Sequence, residues 1–231
     1  MKSQNNLSNP NIIVRTADGS NTIFNSQVGE NYHSKHGALQ ESRHVFVKMG
    51  LEYYSEKNQT ASVSILEVGF GTGLNFLLSA DFCTERQTNL DYTGIEAYPL
   101  SLDMIGQTGY NEYISEGVWQ QFVANYNNLF LQPAQINPFC KLQIAHCELL
   151  NFQSKEHYDI VYFDAFAAAY QPEMWNEEAI SHTMQFLKPG GVFVTYAITG
   201  NLKRMLKALN CKVEKVPGAP GKREMLRSTR F

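Results

Sequence analysis

The run Glu67-Val68-Gly69-Phe70-Gly71-Thr72-Gly73 constrains this chain more than any other. Three glycines in five residues remove Cβ sterics, so the backbone can turn sharply there and a ligand can approach it closely. Val63 to Val68 precedes the run as an apolar strand, and Leu74 to Phe82 follows it as a helix. A second strand, Leu90 to Glu96, ends in an acid 23 residues after Gly73. An acid at that distance accepts hydrogen bonds from the ribose hydroxyls of a nucleoside held on a doubly wound sheet. The E-x-G-x-G-x-G form lacks the usual G-x-G-x-x-G spacing, which favours S-adenosylmethionine over a dinucleotide. The expected cofactor contacts are Gly69, Gly71 and Gly73 at the backbone, Glu96 at the ribose and Glu67 facing the cationic methionine end.

The strand and helix alternation continues beyond this unit. After an irregular middle, Leu142 to Ala145 and Tyr158 to Phe163 read as strands, Met174 to Leu187 as a helix, and Val192 to Ala197 as an apolar central strand. Asn201 to Leu209 is a basic amphipathic helix, and Cys211 to Val216 with Glu224 to Arg230 makes a terminal hairpin around Pro217-Gly218-Ala219-Pro220-Gly221. The expected fold is α/β: a class I, Rossmann-like arrangement with a mostly parallel seven-stranded sheet and a terminal antiparallel hairpin. Residues 1–10 read as a disordered tail and 11–60 as a small N-terminal elaboration packed on the core. That elaboration has one or two short strands and a helix over Leu39 to Tyr54; 61–231 form the main domain.

Composition narrows the class. Cys83, Cys140, Cys147 and Cys211 form no C-x-x-C pair, so they read as free thiols in a reducing compartment. No signal peptide or membrane span is visible, and a cytoplasmic location is expected. The net charge of -3 conceals an asymmetry: from Thr199 onward the charge is +7, and the rest carries -10. A basic end on an acidic body suits a polyanion, or is simply a solvated face. His33 with His36, and Cys140 with His146 and Cys147, lack the spacing of a metal ligand set, so no metal is expected.

The second chemical constellation is Tyr158-Asp159-Ile160-Val161-Tyr162-Phe163-Asp164-Ala165-Phe166-Ala167. It is an aromatic-rich strand ending in Asp164, which should point to the cofactor methyl from the carboxyl edge of the sheet. Asp159 reads as a strand-start residue. Tyr196, at the end of a later strand, lines the same pocket or packs at the sheet edge.

Together, Glu67 to Phe76, Phe163-Asp164-Ala165-Phe166-Ala167, Gln171-Pro172-Glu173-Met174-Trp175 and Gly221-Lys222-Arg223-Glu224-Met225 resemble the MnmD family. Those methyltransferases finish 5-methylaminomethyl-2-thiouridine at the tRNA wobble position. The resemblance runs from about Ile23 to Arg230 and includes Glu41-Ser42-Arg43-His44-Val45-Phe46. In MnmC the same domain is fused to a flavin-dependent oxidase, which this chain does not reach, so the methyl-transfer step alone is implied, without flavin.

The resemblance implies Glu148 near the adenine and Tyr32-His33-Ser34 in a loop over the cofactor. It departs from stand-alone relatives at Ala168, where Pro is common, and at Thr199, where a base is common. It implies tRNA as partner, with Lys222 and Arg223 on phosphates and Phe166 near the base; Trp175 reads more readily as core. Asp164 would orient the side-arm ammonium and then accept its proton. A small-molecule amine methyltransferase and a non-catalytic S-adenosylmethionine-binding module are the rival readings.

Overall fold

The computed structural model describes residues 11–231, and the expected tail over 1–10 lies outside them. The chain opens with Asn11–Arg15 (β1), Asn21–Asn25 (β2) and Glu30–Asn31 (β3), a three-stranded antiparallel sheet, one strand more than the sequence suggests. Asp18 builds the first turn, its Oδ1 accepting from the Ser20 amide at 3.0 Å and the Thr16 hydroxyl at 2.7 Å. A continuous helical segment follows through Ala38–Ser42 (α1), a π-type stretch Arg43–Glu52 and Tyr53–Asn58 (α2). A Cβ at Gly50 would lie 3.0 Å from both Tyr162 and Val194, so this segment rides directly on the main sheet.

The main domain runs Ser62–Val68 (β4), Leu74–Glu85 (α3), Asn89–Ile95 (β5), Leu102–Gly106 (α4), Glu116–Asn125 (α5), Ala134–Asn137 (β6) and Cys140–Ala145 (β7). It continues with Tyr158–Phe163 (β8), Glu177–Gln185 (α6), Leu187–Thr195 (β9), Gly200–Ala208 (α7), Cys211–Pro217 (β10) and Glu224–Arg230 (β11). The strand order is β10-β11-β9-β8-β4-β5-β7-β6, with five parallel strands flanked by antiparallel pairings at both edges. The α/β class and terminal hairpin are as expected, but the sheet has eight strands rather than seven. The added strand, β6, buries only Ile136, and Asn137 closes its turn by accepting from the amides of Phe139 and Cys140. So short a polar segment shows no alternation to read.

Side-chain parity divides the core. Val63 and Ile65 of β4 pack with Phe46, Phe76 and Tyr162 on one face, and Leu66 and Val68 pack with Phe163, Ile180 and Leu206 on the other. The middle is less irregular than expected: α5 buries Val118 and Phe122 at helical spacing against the first of these layers. The expected helix over Met174 to Leu187 is split, a 3₁₀ turn Pro172–Trp175 giving way to α6 at Asn176, whose side chain accepts from the Ala179 amide. Among the described residues no helix is long and apolar enough to cross a membrane.

Candidate active site

The chain leaves β4 towards β5 and later returns to β8 on the opposite flank, so a topological switch point lies between β4 and β8. Ligand crevices form outside the carboxyl ends of strands at such a point. Here the ends are stitched level. The Asp164 amide donates to Val68 O at 2.9 Å, the amides of Gly69 and Phe70 to Ile95 O at 3.1 Å, and the Glu96 amide to Ala145 O at 3.0 Å.

Gly69, Gly71 and Gly73 adopt φ of 85°, 52° and 76°, a region that L side chains rarely enter. Gly69 has a second reason to be glycine, since a Cβ there would sit 2.6 Å from the Asp164 carbonyl oxygen. At Gly71 a Cβ would meet the Tyr32 ring at 2.9 Å, so the Tyr32-His33-Ser34 segment does lie over the glycine loop. His33 is buried beneath it, within 3.5 Å of the Thr72 hydroxyl, and burial lowers its pKa to about 4. Glu96 Oε2 accepts from the Gly71 amide at 2.8 Å and Oε1 from the Tyr98 amide at 2.9 Å. Burial raises the pKa of this carboxyl above the ordinary value, and these donors oppose the rise. Each Glu96 oxygen keeps a lone pair for a further donor, as a ribose diol requires.

Glu67 does not lie open to the crevice. It shares the face of Val63 and Ile65, and its carboxyl is wholly buried, taking Asn75 Nδ2 at 2.7 Å and the Tyr92 hydroxyl at 2.8 Å. Burial, and then the charge of Asp164, push its pKa well above the ordinary value. The same Asn75 Nδ2 donates to Asp164 Oδ2 at 2.8 Å, so Glu67 reaches the site through an amide bridge.

Asp164 opens into a cavity of about 400 Å³ lined also by Glu30, Tyr32, Glu41, Phe166, Tyr170, Tyr196 and Lys222. Burial, then the negative charge of Glu41, raise the Asp164 pKa to about 8. Tyr196 belongs to the cavity: its hydroxyl donates to Ala165 O at 2.9 Å and its ring faces Lys222 Nζ at 3.9 Å. Phe166 packs edge-on against Tyr32, and Trp175 is core, its indole donating to Phe166 O at 2.7 Å. Lys222 departs from the expected phosphate contact because it turns inward to pair with Glu41 at 3.0 Å. Arg223 stays exposed on the hairpin turn, and Glu148 is exposed at the start of a 3₁₀ turn after β7. Neither lines the Asp164 cavity. Asp159 sits at the opposite, amino end of β8, held by Ser64, Tyr54 and Lys188. Among the described residues no group of three or more His, Cys, Asp or Glu could hold a metal.

The sequence reading missed Asn75, Tyr92, Glu30 and the inward role of Glu41. Asn75 carried a usable signal, a lone amide in the apolar first turn of α3. Glu30 carried none, for it reaches the site only by accepting the Ala167 amide, 137 residues away, at 2.7 Å.

The chain's sequence from 113 to 230 matches the family described as S-adenosyl-L-methionine-dependent methyltransferase. This chain belongs to that family. The methyltransferase is 29% identical over 95% of its length to the tRNA 5-methylaminomethyl-2-thiouridine biosynthesis bifunctional protein MnmC of Chromohalobacter salexigens. It is 30% identical over 88% of its length to the protein of the same name from Methylobacillus flagellatus. It spans about a third of the length of these curated relatives, 33% in each case. Among solved structures it resembles MnmC2 from Aquifex aeolicus, with a TM-score of 0.77 and 22% identity, covering 97% of this chain and 72% of that one. At that identity the likeness bears on the fold.

Proposed function

We propose that this methyltransferase methylates the side-arm amine of 5-aminomethyluridine, with or without a 2-thio group, at the tRNA wobble position. The observation that carries the reading is the acidic, aromatic-walled cavity holding Asp164 directly beside the glycine loop. The names of the similar MnmC proteins support it. In this proposal Gly69, Gly71, Gly73 and Glu96 hold the cofactor, Glu148 stands on its adenine side, and Glu67 acts from below through Asn75. S-adenosylmethionine, when bound, supplies an electrophilic methyl group.

Asp164 handles the proton. An alkylamine with a lysine-like pKa of ~10.4 reaches the cavity as an ammonium and is not nucleophilic until it is deprotonated. Asp164 holds and orients that ammonium, then accepts one proton so that the nitrogen lone pair faces the methyl. With a pKa of about 8, Asp164 is mostly protonated at neutrality, and an arriving cation favours its ionised form. Phe166, Tyr32 and Tyr196 supply apolar walls for the uracil.

The charge of Lys222 lowers the Asp164 pKa, and pairing with Glu41 reduces that group's opposing effect. Lys222→Met is therefore expected to move the acid limb of the kcat/KM profile to higher pH; an unmoved limb would show that Lys222 does not tune the site.

For the RNA, Lys203, Arg204 and Lys207 on α7 and Arg223 on the hairpin present positive charge, with Lys35 and His36 at the cavity rim. Replacing Lys203, Arg204 and Lys207 together by Gln is expected to weaken tRNA binding and flatten its log-log salt dependence by about one unit or more. Titrations at several salt concentrations measure this. The central test supplies labelled S-adenosylmethionine with undermodified tRNA and identifies the methylated nucleoside. Label on free amines but not on tRNA would select a small-molecule enzyme instead.

A further inference from the structure

The N-terminal elaboration does more than cover the sheet, because it delivers two carboxylates to the Asp164 cavity. Glu30, on β3, accepts from the Ala167 amide at Oε2, 2.7 Å, which fixes the loop carrying Phe166. Glu41, on α1, accepts from the Ser34 amide at Oε2, 2.7 Å, and from Lys222 Nζ at Oε1, 3.0 Å. Asp164 Oδ2 accepts from Asn75 Nδ2. Glu30 and Asp164 each use one oxygen on these contacts, and Glu41 uses both. All three carboxylates line one cavity, which offers carboxylate acceptors to the N–H donors of a primary ammonium.

The charge balance of the cavity points the same way. Glu30, Glu41 and Asp164 line it, and the inward-facing cation is Lys222. Lys35 and His36 lie exposed at the rim, His33 is held neutral by burial, and Tyr32 and Tyr196 are held in their neutral forms by burial as well. The Lys222 ammonium lies against the Glu41 carboxylate and 3.9 Å from the face of the Tyr196 ring, the charge and cation–π contacts that a second primary ammonium would also make.

From this arrangement we infer that Glu30 and Glu41 are specificity-determining residues that select a primary ammonium over a neutral or anionic side arm, leaving Asp164 free for proton transfer. The assignment to a nucleobase arm rests on the function proposed above. A neutral hydroxymethyl arm offers one donor and no charge to the carboxylates, and a carboxylate-bearing arm meets like charge.

The test compares anticodon stem-loop RNAs carrying 5-aminomethyluridine or 5-hydroxymethyluridine, the second as a competitive inhibitor. The proteins are wild type, Glu30→Gln, Glu41→Gln and the double variant. Glutamine keeps an oxygen for the Ala167 or Ser34 amide while removing the charge. Wild type is expected to prefer the amine arm by at least tenfold, from KM against inhibition constant. The double variant should lose that preference through a raised KM, with its affinity for hydroxymethyl RNA and S-adenosylmethionine kept, which also reports an intact cavity. A preference surviving in the double variant overturns the inference.

Benzylammonium and benzyl alcohol, bound to the S-adenosylmethionine-loaded protein and followed by NMR, separate the two levels. If wild type fails to methylate the aminomethyl RNA yet binds benzylammonium better than the alcohol, and the double variant does not, the RNA assignment falls and the ammonium selection stands. Equal binding of the two small probes by wild type overturns the selection itself.

Discussion

Asp164→Asn is expected to lower methyl transfer by about 10²–10⁴-fold, the usual range for removing a positioned proton acceptor. S-adenosylmethionine should still bind, because Asn75 can donate to the new amide oxygen and the loop contacts to Val68 and Ile95 are backbone bonds. Isothermal titration beside single-turnover methyl transfer separates these effects; parallel loss of both would remove Asp164 from the chemistry.

The same variant should be more stable than wild type in mildly alkaline buffer. The Asp164 pKa is raised from 3.8 in the unfolded chain to about 8 in the folded protein, so between those values the folded state holds a proton that the unfolded state has released. Stability associated with this group is complete below pH ~4 and falls as pH rises through about 8. Asparagine removes that dependence. A gain of about 1 kcal/mol corresponds to roughly 2–4 °C in Tm for a chain of this size. Melting curves at pH 5 and pH 9 should diverge between the two proteins, with the difference largest at pH 9.

The second large effect belongs to Gly69→Ala. The new methyl would combine a disfavoured φ of 85° with a 2.6 Å approach to the Asp164 carbonyl, and neither partner can yield by rotating a side chain. Backbone strain of about 2 kcal/mol corresponds to a Tm lowered by roughly 4–8 °C. Because β4 and β8 must part at their carboxyl ends, S-adenosylmethionine binding and turnover should fall together. Gly190→Ala carries a similar φ of 78° with open space around it, and Gly117→Ala has open space and ordinary φ, so the pair separates strain from collision. Cofactor affinity in Gly69→Ala equal to that in Gly190→Ala would show that the close approach is unimportant.

What the sequence disclosed was whatever depends on neighbours along the chain. The glycine loop, the acidic strand ends at Glu96 and Asp164 and the terminal hairpin are local patterns of turn chemistry and alternation, and the structure contains each of them. Glu67 was visible as an acid beside the loop, but which way it points is a matter of strand parity: it follows Val63 and Ile65 to the buried face. Lys222 looked like a phosphate ligand because a basic turn is ordinarily solvated. Only the tertiary fold brings Glu41, 181 residues away, to within 3.0 Å of it. The middle helix α5 escaped notice because Gly117 and a polar surface interrupt its short apolar face of Val118 and Phe122.

The Glu41–Lys222 pair also imposes a schedule on synthesis. The residues before β4 and the hairpin turn after β10 close the cavity from opposite directions along the chain. A ribosome releases the glycine loop and Asp164 well before it releases Lys222, so the Glu41–Lys222 contact is the last of these features that a growing chain can form. A series of stalled chains of increasing length should therefore gain S-adenosylmethionine binding at one length and acceptor turnover only after β11 has left the exit tunnel.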